Sequence, residues 1–293
     1  MEPFLLFACG AILAIASIID VKTREVPDFL NYSLIAIGLG VNTLIAIAIS
    51  NIMIFLQSIA GMVFGFLLGW ALYYLGQWGG GDSKLLIGLG AAIGIPFSTD
   101  FIKSGSMILS SFLVSMLANM IIVGAIYALF IAVFLAATNW DKMKEPLERL
   151  AKKSSRWRIP LQIIILVCII ASAIFFRGFE RIMIVSLLLI CAVFSHLWIF
   201  IKAVEESAMR KWVAPDKLVE GDWVAEPVKI GRKTIVSPKD PGISKEQIKE
   251  LKKAFEKGKK VLVKEGIPFV PTFFFSFLIT AAFGNLILRF ILA

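Results

Sequence analysis

No charged side chain occurs in the stretch Phe29–Gly81, FLNYSLIAIGLGVNTLIAIAISNIMIFLQSIAGMVFGFLLGWALYYLGQWGGG. A helix needs about 20 apolar residues to cross the hydrocarbon core of a bilayer. The stretch is therefore long enough for two spans, Phe29–Ile49 and Ile52–Gly76, with Ser50-Asn51 as the polar break between them. The whole chain is 58% hydrophobic with a mean hydropathy of +0.85, which lies outside the usual range of soluble globular domains. These features indicate an integral membrane protein.

Further apolar runs lie on both sides of this stretch. The shortest, Leu85–Thr99, is the fourth candidate span in chain order. The others are Pro3–Ile19, a segment within Ser104–Trp140, Ile159–Phe176, Ile182–Ile201 and Ile267–Leu288. The sequence therefore predicts an all-α polytopic membrane protein with about eight transmembrane helices.

One long region, Lys202–Gly266, is polar enough to form a small subdomain. Its first half alternates apolar and polar residues and predicts short strands with a turn at Gly231. Its second half predicts a helix with Ser244 as N-cap and Gln247 as capping-box partner. The lysines of this helix suit either a solvated face or contact with anionic lipid headgroups. We predict a membrane helical domain over 1–201, a cytoplasmic α+β insert over 202–266 and a final transmembrane helix over 267–293.

The distribution of basic residues predicts the orientation of the chain. Short loops kept in the cytoplasm carry an excess of lysine and arginine. With the N-terminus outside, the inner loops and the insert hold most of the 30 basic residues. This orientation places Asp20, at the end of the first span, and Asp82, at the start of the fourth, at the same cytoplasmic face. The predicted location is the cytoplasmic membrane, with a site at its inner face.

The cysteine and histidine content limits the kinds of site that the chain can form. The three cysteines lie within apolar spans and the chain has one histidine, so neither a zinc site nor a disulfide framework is supported, and we predict no metal or cofactor.

Glycines recur every four residues in the third and fourth spans, which lets helix backbones approach closely. We expect these two spans to pack tightly through Gly61, Gly65, Gly69, Gly90 and Gly94.

The two aspartates suit acid–base chemistry. Two neighbouring carboxyl groups cannot both ionise readily, so one keeps a proton and can act as an acid while the other acts as a base. Such a pair can activate water for attack on a peptide carbonyl. Other interpretations stay open, since Asp82 could serve as a helix N-cap and Asp20 could begin an exposed loop.

The residues of both segments resemble the motifs of one known family. Gly79-Gly80-Gly81-Asp82 fits the G-x-G-D signature of intramembrane aspartyl proteases, and its continuation resembles that of type IV prepilin peptidases. The segment from Asp20 to Asp28, DVKTREVPD, is similar to the first-aspartate loop of that family. The layout most resembles the archaeal prepilin and preflagellin (prearchaellin) peptidases, because the cysteine-rich region of many bacterial members is missing; methylation of the product is therefore not expected.

The resemblance implies an aspartic endopeptidase that removes a short basic leader from precursors with a following hydrophobic helix. Asp20 and Asp82 match the catalytic pair, Gly79 and Gly81 match the motif glycines, and Lys84 matches a basic position. Lys84 could tune the charge of Asp82 or reach toward lipid headgroups. We also expect the basic leader to seek acidic groups, for which Glu25 and Asp28 are candidates, although both could simply balance Lys22 and Arg24. The expected partners are such precursors and membrane lipids, not nucleic acid, and the oligomeric state is left open.

Two alternatives differ in class. An intramembrane-cleaving protease of the presenilin or signal-peptide-peptidase type would pair its G-x-G-D aspartate with a Tyr-Asp motif, but Ile19 precedes Asp20. An ion-coupled transporter would need further ionisable groups deep within the spans. Only His196 fits that description, and we interpret it as a packed residue.

Overall fold

The computed structural model describes residues 2–97, 111–231, 233–238, 240, 242–255 and 259–292, with the side chains of 291 and 292 not included. The helices ahead of the polar insert are α1 (Pro3–Thr23), α2 (Asp28–Ala48), α3 (Ile52–Tyr74), α4 (Gly80–Ile93), α5 (Phe112–Thr138), α6 (Trp140–Phe175) and α7 (Gly178–Ala208). The insert holds β1 (Arg210–Val213), a short 3-10 turn (Pro215–Lys217), β2 (Trp223–Val224), β3 (Val228–Ile230), β4 (Lys233–Val236), α8 (Lys245–Ala254) and β5 (Val261–Lys264). Two more helices follow, α9 (Val270–Phe283) and α10 (Leu286–Leu292).

The helices confirm a polytopic membrane protein. In the described part of the chain, six of them (α1, α2, α3, α5, α6 and α7) are long and apolar enough to cross a bilayer. The other two predicted spans correspond to α4 and α9, which have 14 residues each. At 1.5 Å per residue such a helix is about 21 Å long, shorter than a hydrocarbon core of about 30 Å. The end of the predicted fourth span and the start of the fifth fall in 98–110, outside the described residues.

Helix α4 packs against α3 by direct backbone contact. A Cβ added to Gly61 would lie 2.2 Å from the Gly90 carbonyl oxygen, and one added to Gly90 would lie 2.1 Å from that of Gly61. Gly65 and Gly69 face Leu86 and Ser83 in the same way. Any larger residue would force the helices apart, so the predicted glycine-mediated packing is confirmed.

Both 14-residue helices have carbonyl groups at their ends that accept hydrogen bonds from asparagine side chains of neighbouring helices. Asn42 donates to the carbonyls of Ala91 and Ala92 at the end of α4, at 3.1 Å each. At the end of α9, Asn119 donates to the hydroxyl of Thr280 and the carbonyl of Gly284, at 2.8 Å each. Unpaired carbonyls are costly where water is excluded, so these asparagines allow the helices to stop short.

The hairpin of α6 and α7 packs chiefly against itself. Its apolar side chains, among them Ile163, Val167 and Phe194, are exposed on the outer surface, as expected of residues that face lipid. His196 is also exposed, so its interpretation as a packed residue is wrong. The hairpin is longer than predicted because α6 begins at Trp140 and continues through Pro146 and Pro160.

The insert has its own small core. Its three-stranded antiparallel sheet has the order β1-β5-β2, and β3 pairs with β4 in the predicted hairpin, with Gly231 at a φ of 60° in the turn. Helix α8 has the predicted capping box, and two of its own side chains, those of Ile248 and Leu251, are buried. Because α7 continues to Ala208, the insert folds separately only from β1 onward. The division into 1–201, 202–266 and 267–293 stays a prediction.

Candidate active site

Asp20 lies in the last turn of α1 and is buried, with 5% of its surface exposed. Its Oδ2 atom accepts a hydrogen bond of 2.9 Å from the backbone N–H of Val270, the first residue of α9. The free N–H groups and the dipole at a helix start favour a negative group there. Asp20 therefore does not begin the exposed loop, which starts only after Thr23; it caps a helix 250 residues further along the chain.

Asp82 lies in the first turn of α4 and is half-buried. Its Oδ2 atom accepts a 3.3 Å hydrogen bond from the backbone N–H of Gly79. The next residue, Ser83, donates from its hydroxyl to the carbonyls of Gly69 at 3.0 Å and Gly79 at 3.1 Å. The N-cap is thus Gly79, so the interpretation of Asp82 as the N-cap itself is wrong; Asp82 is the acid at the third helical position that accepts from the N-cap amide. This bond does not compete with a second role, because the other carboxylate oxygen takes no part in it.

One cavity of about 1320 Å³ contains both aspartates. Asp20 lies close enough for its charge to act on Asp82. All the site residues predicted from the sequence line this cavity: Asp20, Glu25, Asp28, Gly79, Gly81, Asp82 and Lys84. The fold thus brings together two segments that are far apart in the sequence.

Residues 7–140 match the model of the type IV leader peptidase family. The matched part, which is less than half of the chain, is similar to that family. Both aspartates and their motifs lie within it, whereas the insert and α9, which complete the cavity and the bond to Asp20, lie outside it.

The relatives found are archaeal proteins named preflagellin peptidase. The chain is 43% identical over 88 residues to that of Methanocaldococcus jannaschii and 38% identical over 88 residues to that of Methanococcus voltae, covering 30% of this chain and 37% of each relative. It is 37% identical over 93 residues to that of Methanococcus maripaludis, covering 32% of this chain and 39% of the relative. The chain therefore spans less than two fifths of the length of these relatives. No solved structure matches the chain.

The glycines of the leader-peptidase motif have different surroundings. A Cβ added to Gly81 would lie 3.0 Å from the Cβ of Val26, so Gly81 lets the loop after α1 pack against the start of α4. A Cβ on Gly79 would make an ordinary 3.5 Å contact with Asp82. Gly81 is therefore the glycine whose missing side chain brings the two aspartate segments together.

The ammonium group of Lys84 pairs with Asp28 rather than with Asp82. Its Nζ atom lies 2.6 Å from Oδ1 of Asp28, and 6.0 Å from the ring centre of Tyr32. Asp28 thus pairs with Lys84 on α4 rather than with the basic residues of its own loop. Both side chains are largely exposed, and an exposed pair of this kind adds at most about 1 kcal/mol to stability.

Arg24 and Glu25, next to each other in the loop after α1, differ in their contacts. Nη1 of Arg24 lies 2.9 Å from Oε2 of Glu265 and 3.2 Å from the carbonyl oxygen of Gly266, at the exit of the insert. Glu25 lines the cavity and forms no ion pair with any residue that the structure describes. Of the two acids considered for leader binding, Glu25 is the one left available.

The insert forms the wall opposite the aspartates, which the sequence did not predict. Residues 218–223 and 242–252 include the part of the insert that lines the cavity. The ring of Trp223 rests on Gly76, where an added Cβ would lie 2.7 Å from Cη2. A Gly-Asp-Trp turn in a polar region was the only sequence signal for this contact.

Asp222 is a further carboxylate in the cavity, contributed by the insert. Burial raises the pKa of Asp222, the N–H bond from Val219 lowers it, and the nearby charge of Glu265 raises it, with a net upward shift. On the membrane side, Tyr127 of α5 lies near enough to Asp20 for the two to interact electrostatically. Neither residue lies in a motif, so nothing in the sequence connected them with the site.

Proposed function

We propose that this protein is a membrane aspartic endopeptidase that removes the short basic leader from prepilin- or preflagellin-type precursors at the cytoplasmic face. The observation that carries the proposal is that Asp20, in the last turn of α1, and Asp82, in the first turn of α4, line one cavity. The family match of residues 7–140 and the names of the archaeal relatives support the reaction and the substrate class.

The chemistry needs only the two carboxyl groups and water. The ionised member removes a proton from water as its oxygen attacks the scissile carbonyl carbon, while the protonated member donates a hydrogen bond to the carbonyl oxygen. The tetrahedral intermediate then collapses as the amide nitrogen receives a proton and the C–N bond breaks. The products are a shortened precursor with a free amino terminus and the released leader.

The surroundings of the cavity suit a precursor that is half in the membrane. The substrate's hydrophobic segment would lie beside the enzyme's spans, which places the scissile bond at the membrane edge, where the aspartates lie. The basic leader would then extend between the membrane domain and the insert, where Glu25 is available to a positive side chain. The basic loops and insert favour a cytoplasmic position for this cavity.

The proposal is tested by cleavage of a synthetic precursor that carries a basic leader ahead of a hydrophobic helix. With the purified protein in lipid nanodiscs, Asp20→Asn and Asp82→Asn should each lower kcat by at least about a thousandfold, because removing one member of a catalytic unit disables the whole. A control substrate with an uncharged leader should be cut poorly. Near wild-type cleavage by either variant, or loss of wild-type activity on addition of a chelator, would rule the two-aspartate mechanism out.

A further inference from the structure

The carboxylate of Asp20 depends on a helix that lies outside the family-matched region. Its bond to the Val270 amide is 2.9 Å long, and the Phe269 amide lies near enough to contribute. A buried carboxylate is costly unless it is hydrogen-bonded or paired. The position of the start of α9 therefore determines whether Asp20 can stay ionised inside the protein.

Arg24 holds the segment that leads into α9. Its guanidinium binds the Glu265 carboxylate and the Gly266 carbonyl, only a few residues before Val270. Its own backbone N–H donates to the carbonyl of Asp20 at 2.7 Å, closing the last turn of α1. Contacts thus run in a closed circuit from Asp20 through Val270, Gly266 and Arg24 back to Asp20.

The backbone of Arg24 is also unusual. Its φ of 60° lies in the left-handed region, which residues with a side chain rarely occupy. Such a conformation persists where the surrounding contacts fix it. Here it ends α1 and turns the Arg24 side chain toward the exit of the insert.

We propose that Arg24 is a positioning residue that keeps the start of α9 against Asp20, so that Asp20 is the ionised base of the pair and Asp82 carries the proton. This inference rests on the proposed function, because it assigns roles within the same site.

The two carboxyl groups differ in what supports a negative charge. Asp82 lies at the start of α4, whereas Asp20 faces the start of α9 but belongs to the last turn of α1, so the helix dipoles alone do not favour a charge on Asp20. Asp20 has the shorter amide bond, a second amide nearby and the cation Arg24 in the next turn. Asp82 has one longer amide bond and faces the charge of Asp20. In the described part of the chain, the other titratable groups that face the pair are Tyr73 of α3, Tyr127 of α5, the Asp28–Lys84 pair, Glu25, and Glu220, Asp222, Lys245, Lys249 and Lys252 of the insert.

The kinetic test compares Arg24→Gln with Lys22→Gln. Both remove one positive charge from the same turn, but Lys22 forms no ion pair in the described part of the chain. Arg24→Gln should lower kcat about 10- to 100-fold, the cost of a small misplacement of a reacting group, with little change in KM. The acidic limb of its kcat–pH profile should move to higher pH, because a less supported Asp20 keeps its proton longer. Lys22→Gln should match the wild type, and Arg24→Lys should recover part of the loss.

A second test needs no activity. Hydrogen exchange of the Val270 amide should be faster in Arg24→Gln and in Asp20→Ala than in the wild type and in Lys22→Gln. Infrared spectra should contain a protonated carboxyl band that is lost in Asp82→Asn and retained, with a lower titration midpoint, in Asp20→Asn. The inference is overturned if Arg24→Gln raises KM alone, leaves the pH limb or the Val270 exchange unchanged, or if the carboxyl band disappears with Asp20. The exchange and infrared readouts stand even if the protein cleaves no leader, so the two proposals can fail separately.

Discussion

Helices α4 and α9 are the two 14-residue apolar helices, and each has one carboxylate at its start, placed there in a different way. Helix α4 carries its own acid, Asp82, in its first turn. Helix α9 has no acid in its first turn and takes the carboxylate of Asp20 from α1. The first arrangement is fixed by the local sequence, whereas the second exists only when two distant parts of the chain are correctly packed.

Their packing differs as well. Helix α4 lies against α3 through glycines, backbone to backbone. Helix α9 packs through aromatic rings, with Phe273 5.3 Å from Trp78 and Phe277 5.3 Å from Phe112 between ring centres. Backbone contacts cannot adjust to a larger residue, while side-chain contacts can shift by a few tenths of an ångström. We therefore expect α4 to be the less tolerant helix and α9 the more adjustable one.

The largest effect on stability should come from adding one methyl group to the rigid interface. Gly90→Ala puts a Cβ 2.1 Å from the Gly61 carbonyl oxygen and should destabilise the protein by about 1–3 kcal/mol or prevent its accumulation, since overpacking forces backbone shifts.

Gly10→Ala is the matched control on the adjustable side. Its Cβ would lie 3.4 Å from Cε1 of Phe277, a ring that can move. Thermal unfolding in the same detergent should place this variant within about 0.5 kcal/mol of the wild type. Equal destabilisation by the two variants would remove the distinction between the interfaces.

A smaller effect is expected at the C-terminal ends of the two helices. Asn119→Ala removes two donated bonds from the end of α9 and the bond that Asn119 Oδ1 accepts from the Leu286 amide at 2.9 Å. Asn42→Ala removes only the bonds to Ala91 and Ala92, and α4 keeps a second donor, the hydroxyl of Ser58, on Ala91. Polar contacts between membrane helices contribute about 0.6–1.7 kcal/mol, so unfolding should show Asn119→Ala at the upper end and Asn42→Ala at the lower end. The reverse order would mean that the ends are not capped as described.

The same contrast explains how far the sequence could predict this molecule. The spans, the glycine contact, the insert helix and the shared face of Asp20 and Asp82 follow from local patterns: apolar length, spacing of small residues, capping residues and charge. The bond from Val270 to Asp20 and the pair between Asp28 and Lys84 join residues 250 and 56 positions apart. No local propensity encodes such contacts, because they arise from how whole helices pack. The contact of the insert with the cavity was not predicted for the same reason. The alternating pattern of its strands does not indicate which surface of the membrane domain the insert covers.

The smallest effect concerns Asp222, a carboxylate in the cavity that does not lie at a helix start. Its ionisation is therefore not favoured by a helix dipole or by the free N–H groups of a first turn. It accepts one bond of 2.8 Å from the Val219 amide, and its pKa is raised by burial first and by Glu265 as well. A raised pKa means that the folded insert binds the proton more tightly than the unfolded chain, so this residue's contribution to stability is present in acid and is lost as the pH rises through the raised pKa. Asp222→Asn keeps a carbonyl oxygen for the Val219 amide and removes the titration. Relative to this variant, the wild-type insert should therefore become less stable as the pH rises above about 4, the ordinary value for aspartate, measured as faster exchange of amides in 219–224. Parallel pH profiles for the two proteins would show that Asp222 ionises freely, and that a carboxylate in this cavity needs no helix start to keep its charge.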